Sequence, residues 1–107
     1  MITVNFYKHN GEYSKVECYG HAGFDDAGKD IICAAVSALV INCSNSLEKF
    51  TDDFFDSMTH EDGTTEIILK SPVSHDGVLL LDSLKMGLEL ISKEYGKKYL
   101  KISDKEV

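Results

Sequence analysis

The sequence predicts a single α/β (α+β-like) domain over residues 1–107, of order ββαββαβ, with one mixed sheet and two helices packed on it. Three observations carry that expectation. Apolar and polar residues alternate at the N-terminus and lead into Asn10-Gly11. Two long segments, 31–50 and 76–95, carry apolar residues at helical spacing. Between them lies a second hairpin pattern that turns at Glu61-Asp62-Gly63.

The elements follow in order. Ile2, Val4 and Phe6 alternate with Thr3, Asn5 and Tyr7, the mark of a half-buried strand. Asn10-Gly11 suits a two-residue hairpin, because both residues can take positive φ. A second strand over 13–19 places Val16 and Cys18 on one face and Tyr13, Lys15, Glu17 and Tyr19 on the other. Residues 22–29 read as a mobile loop, loosened by Gly23 and Gly28 and kept polar by Asp25 and Asp26.

The first helix spans 31–50. Asp30 suits its N-cap, since a carboxylate accepts the free backbone N–H groups. Ile32, Val36, Leu39, Cys43, Leu47 and Phe50 form its core stripe. A third strand over 54–60 and a fourth over 65–70 follow, with Ile67 and Leu69 facing one way and Ser71-Pro72 ending the pair. The second helix carries Leu80, Leu84, Leu88, Ile91 and Tyr95 as its stripe, and Asp82, Lys85, Glu89 and Lys93 as its solvent face. Leu79, Leu81, Met86 and Leu90 exceed that stripe, so either both sides of the helix are covered or the surplus is a dimer interface. Gly96 stops the helix, and a short last strand runs over 99–103.

Composition narrows the functional classes. Hydrophobic residues make up 43%, enough for a core, and the net charge is -7. No basic stripe is present, which argues against nucleic acid as a direct ligand. The N-terminus reads as a strand rather than a signal peptide, and no apolar run is expected to span a bilayer. A cytoplasmic location follows as an expectation, with Cys18, Cys33 and Cys43 as reduced thiols.

The chemistry concentrates in the segment 20–37, GHAGFDDAGKDIICAAVS. Cys33 lies about 100° around the helix from Ile32, off the core stripe, and heads a partly polar line of Cys33, Ser37, Val40 and Ser44. In the first turn of a helix, unpaired N–H groups and the macrodipole favour a thiolate, which is the reactive nucleophile. Those N–H groups also suit an oxyanion. His21 lies at the start of the loop that returns the chain to the helix, placed to exchange a proton with Cys33. Cys43 falls on the core stripe and reads as a structural thiol.

Asp30 has two readings, helix cap or partner of His21. As a cap it opposes thiolate formation next door. Ser37, one turn on from Cys33, either bonds within the site or packs. A zinc site from Cys18, His21 and Cys33 competes weakly, because residues three apart on a strand face opposite ways and no Cys-x-x-Cys pair is present. No cofactor and no metal are expected. His9 and His60 read as surface residues near turns, and His75 precedes the second helix.

This segment resembles the signature of the ribosomal-processing cysteine protease family of bacteria, and the element order is similar along the whole chain. The resemblance implies a homodimer-forming α/β domain that removes a short N-terminal extension from a large-subunit ribosomal protein, cutting after an aromatic pair and supporting ribosome assembly. It places the nucleophile on Cys33 and the base on His21, with Gly20, Asp30 and Ser37 in supporting positions. Ala22, Gly23, Phe24 and Gly28 form the loop that would grip substrate, with Phe24 a candidate wall of an apolar slot. The alternative is a non-enzymatic, dimeric, ribosome-associated factor that holds a peptide in the same loop without cutting it.

Overall fold

Residues Ile2–His9 form β1 and Glu12–Gly20 form β2, antiparallel and joined through Asn10 and Gly11, whose φ angles of 52° and 80° are those of the tight hairpin expected for this pair. The remaining elements of this computed structural model are α1 (Ile31–Phe50), β3 (Phe55–Thr59), β4 (Thr65–Leu69), α2 (His75–Tyr95) and β5 (Leu100–Glu106). It describes residues 1–20 and 31–107. The order ββαββαβ is the one read from the sequence.

The strands lie side by side in the order β3-β4-β2-β1-β5. All neighbours are antiparallel except β1 and β5, which are parallel, so the sheet is mixed. Both helices cover one face of it. Ile2, Val4 and Phe6 of β1, Val16 of β2, Ile67 and Leu69 of β4 and Leu100 of β5 point into a single core shared with α1 and α2. The opposite face is polar. There Asn5 is buried and donates through Nδ2 to Glu17 Oε1 at 3.0 Å, and the Tyr7 hydroxyl donates to the same oxygen at 3.1 Å. The bond from Asn5 holds the Glu17 carboxyl below its ordinary range.

Four details of packing differ from the sequence reading. Tyr13 does not share the outer face with Lys15 and Glu17. A bulge lets Lys8 pair with Tyr13 while Tyr7 pairs with Lys15, and the extra residue, Ser14, turns Tyr13 inward. Tyr13 is buried, meets Phe6 edge-on with ring centroids 6.2 Å apart, and donates its hydroxyl to Asp82 on α2.

On α1 the buried residues are Ile32, Val36, Val40, Cys43 and Leu47, while Leu39 is half-buried and Phe50 is exposed. On α2 they are Gly77, Leu81, Leu84, Leu88 and Ser92. Leu81 therefore belongs to the core, Tyr95 is exposed, and Leu79, Met86 and Leu90 remain on the surface. Last, α1 is long and apolar enough to cross a bilayer by length and composition alone, contrary to expectation, because its first charged residue is Glu48. In the fold its buried stripe lies in the core.

Helix α2 is held at both ends. Ser74 caps it, accepting from Gly77 N–H at 3.0 Å, and Asp53 anchors Ser74 through its backbone N–H and its hydroxyl. At the other end Gly96 N–H bonds Ser92 C=O. Ser92 in turn donates to Leu100 C=O at 2.9 Å, which ties the helix to β5.

Gly20 closes β2 opposite Ile2 with φ of 94°. A Cβ at this position would run into the backbone carbonyl of Met1. Only glycine fits this end of β2 without strain. Gly20→Ala combines an unfavourable φ, worth about 1–3 kcal/mol, with a clash against backbone. A thermal scan is expected to show a drop of roughly 4–8 °C for each kcal/mol lost. An unchanged midpoint would contradict this account of Gly20.

Candidate active site

The rotation of α1 assigns each cysteine its environment. Cys43 lies in the core at 4% exposure, with Sγ 3.8 Å from Leu80 C=O. Burial pushes its thiol up to about 11. Cys18 projects from β2 toward the helices and is half-buried against the core. Burial first, and the neighbouring Cys33 second, push its thiol up to about 11 as well. Both are neutral thiols at pH 7 and poor nucleophiles.

Cys33 is different. It is the third residue of α1, half-buried at the rim of the core, between buried Ile32 and exposed Ala34. The first turn of α1 carries no acidic residue, so no side chain on that turn opposes the positive potential of the helix N-terminus. Of the three thiols, it combines partial exposure with a helix N-terminus, the setting that activates a cysteine.

A groove of about 360 Å³ lies beside this helix. Its α1 wall is built by Ser37, Val40, Ile41, Ser44 and Asn45. Three of these continue the line that Cys33 heads in the sequence. Its sheet wall is built by Cys18, Ser57, Thr59 and Thr65. Ser37 lies one turn, about 6 Å, along the axis from Cys33, so the groove opens next to that cysteine. A larger groove of about 1010 Å³ lies between α2 and β5, and neither histidine nor cysteine lines it.

The structure thus brings together Cys33, Ser37 and Cys18, with Gly20 ending the strand that carries Cys18. His21, Ala22, Gly23, Phe24, Gly28 and Asp30 lie outside the described residues. Among the described residues no cluster of His, Cys, Asp or Glu fits a metal ion. His9 bonds the carbonyl of Val107, and His60 pairs with Glu66 at the β3–β4 turn. The sequence reading missed the sheet wall of the groove. The sequence places Cys18 beside Val16 on one strand face and as a weak zinc candidate, and the signal that points to Ser57, Thr59 and Thr65 is the run of small residues at alternate strand positions.

A family model described as cysteine protease Prp matches residues 1–101. The chain belongs to the Prp cysteine protease family. A Staphylococcus aureus member named ribosomal processing cysteine protease Prp is 29% identical over 97 residues, covering 89% of this chain and 92% of that protein. A crystal structure of S. aureus Prp with a covalently linked product peptide superposes with a TM-score of 0.89 at 26% identity, over 98% of this chain and all of that one. Prp from the same organism with a substrate peptide gives 0.86 at 25% identity, over 98% and 100%. A Streptococcus mutans protein gives 0.84 at 27% identity, over 100% of this chain and 96% of that one. The fold of this chain is the Prp fold.

The two raised thiols have a measurable consequence. In an unfolded control, cysteines ionise near 8.5, so iodoacetamide labelling rises there. In the folded protein, labelling of Cys18 and Cys43 is expected to rise only as pH approaches 11. By linkage, the stability tied to these protonated thiols is fully present below about 8.5 and is lost as pH rises toward 11, because the unfolded chain releases the protons first. Peptide mapping at each pH reads both thiols separately, and an inflection near 8.5 for both would contradict their assignment to the core.

Proposed function

We propose that this chain is a cysteine endopeptidase that removes a short N-terminal extension from a large-subunit ribosomal protein, cutting after an aromatic pair. The observation that carries the reading is the placing of Cys33, half-buried in the first turn of α1 beside an open groove, while the other two thiols are held neutral. Family membership and the peptide complexes of S. aureus Prp support it.

In the proposed reaction His21 takes the proton from Cys33 Sγ, and the thiolate adds to the scissile carbonyl. Backbone N–H groups of the first turn of α1 hold the resulting oxyanion. As the C–N bond breaks, His21 returns the proton to the leaving amine and a thioester remains. Water, deprotonated by His21, then attacks the thioester and frees the Cys33 thiol and the product carboxylate. Gly20, Asp30 and Ser37 support this arrangement, and the loop of Ala22, Gly23, Phe24 and Gly28 closes over the peptide and excludes water. The protein acts in the cytosol as a homodimer and requires no cofactor. The exposed apolar residues Leu79, Met86 and Leu90 of α2 supply the dimer contact.

Mass spectrometry of a synthetic peptide copying such an extension, incubated with the purified chain, tests the reading. Cleavage is expected with the native protein and with Cys43→Ser, and none above background with Cys33→Ala. His21→Ala is expected to lose about 10²–10⁴-fold in rate. Continued cutting by Cys33→Ala sinks the assignment. Tight binding of the peptide by native protein without cutting would instead favour the non-enzymatic factor.

A further inference from the structure

The groove along α1 has an unusual composition for this protein. Charged residues form 27% of the chain, yet among the described residues none lines it. Its origin is in the strands. On the inner face of β3, Phe55 packs against the core, but the next two inward positions are Ser57 and Thr59. They pair across the sheet with Ile67 and Thr65. Facing them, α1 presents Ser37, Ser44 and Asn45 around Val40 and Ile41. Small residues on both walls leave the space between helix and sheet open, and Ile41 stands 58% exposed at its wall.

We infer that this groove is a specificity subsite, which accepts one large uncharged side chain of the peptide that Cys33 attacks. The inference rests on the proposed protease reading. The apolar part of the α1 wall, Val40 and Ile41, gains by covering such a side chain. Hydroxyls and the Asn45 amide around it can bond a polar tip. A charged side chain entering the groove loses its water and finds no counter-ion among the described residues that line it, which penalises Asp, Glu, Lys and Arg. The volume of about 360 Å³ lies in the range of small binding pockets. The groove begins one helical turn from Cys33, so a residue near the scissile bond reaches it.

Ser57 tests this without touching the proposed catalytic groups. It is exposed on an edge strand, where Phe and Asp are both sterically open to solvent. A randomised peptide library is digested with native protein, and the cut sites are read by mass spectrometry. Native protein is expected to show one position near the cut that selects large uncharged residues and rejects charged ones. Ser57→Phe, which fills the groove, is expected to shift that position toward Gly and Ala and to lower the rate for large residues about tenfold or more. Ser57→Asp is expected to admit Lys or Arg there. A thermal midpoint close to that of native protein in both variants reports an intact fold.

A parallel arm measures affinity of the same library for the inactive Cys33→Ala variant, with and without Ser57→Phe. Cutting with selectivity that neither Ser57 substitution alters overturns the subsite and leaves the protease reading standing. Side-chain-selective binding that Ser57→Phe abolishes, with no cutting by native protein, overturns the protease reading and leaves the groove as a peptide site. Absence of both cutting and binding overturns both.

Discussion

The constraint on which the site depends is the rotation of α1 about its own axis. Five residues, Ile32, Val36, Val40, Cys43 and Leu47, go into the core together. Each large apolar side chain among them is worth about 1.5–3 kcal/mol when buried. Turning the helix by one residue, about 100°, would bring Cys33, Ser37 and Ser44 inward and carry Ile32 and Val36 out. That exchange loses several burial terms at once and buries hydroxyls without assured partners. Hydrophobic burial along twenty residues thus holds Cys33 at the rim of the core, in the first turn of the helix, where the macrodipole is positive.

The sheet contributes the complementary part. Its inner face carries large side chains on β1, β2 and β4, and these fill the space under α1 and α2. On β3 the large side chains stop after Phe55, and a groove opens at that edge. The outer face is organised differently, by hydrogen bonds. Glu17 gathers Asn5 and Tyr7, so the buried amide at the centre of the polar face is satisfied. Gly20 ends β2 at the margin of these layers. Its pairing with Ile2 fixes the point at which the chain leaves the sheet, and its missing Cβ lets Met1 pass beside it.

Element order, both helices and the two hairpins were legible because each rests on a strong local period or turn. Even the line of Cys33, Ser37, Val40 and Ser44 could be read from helical spacing, since it required only α1 itself. What could not be read required a partner. The bulge at Ser14 depends on how β1 and β2 pair, and it reverses the side on which Tyr13 lies. The choice of Val40 over Leu39, and of Leu81 over Leu80, depends on α1 and α2 each packing on the sheet and on the other helix, which turns the buried stripe away from the simplest apolar line. Phe50 fits the period but lies in the last turn, beyond the cover of the core. The groove was hidden for the same reason, because its two walls come from separate elements and its signature is the smallness of side chains rather than a motif.

Charge and shape act at different ranges in this arrangement. The net charge of -7 sets up a field that extends beyond contact distance and favours encounter with a basic protein of the kind proposed as substrate. That contribution is screened over about 8 Å at physiological salt, so it affects association rate more than selection. The described residues that line the groove carry no charge. Selection there depends on burying apolar area and on excluding groups that would lose their water, terms that salt changes little. A basic polypeptide can therefore be attracted by the surface as a whole while each of its Lys and Arg side chains is kept out of the groove beside Cys33. Among the residues of a basic chain, only its uncharged side chains then compete for that place, and the two effects together narrow the register in which the peptide reaches the thiol.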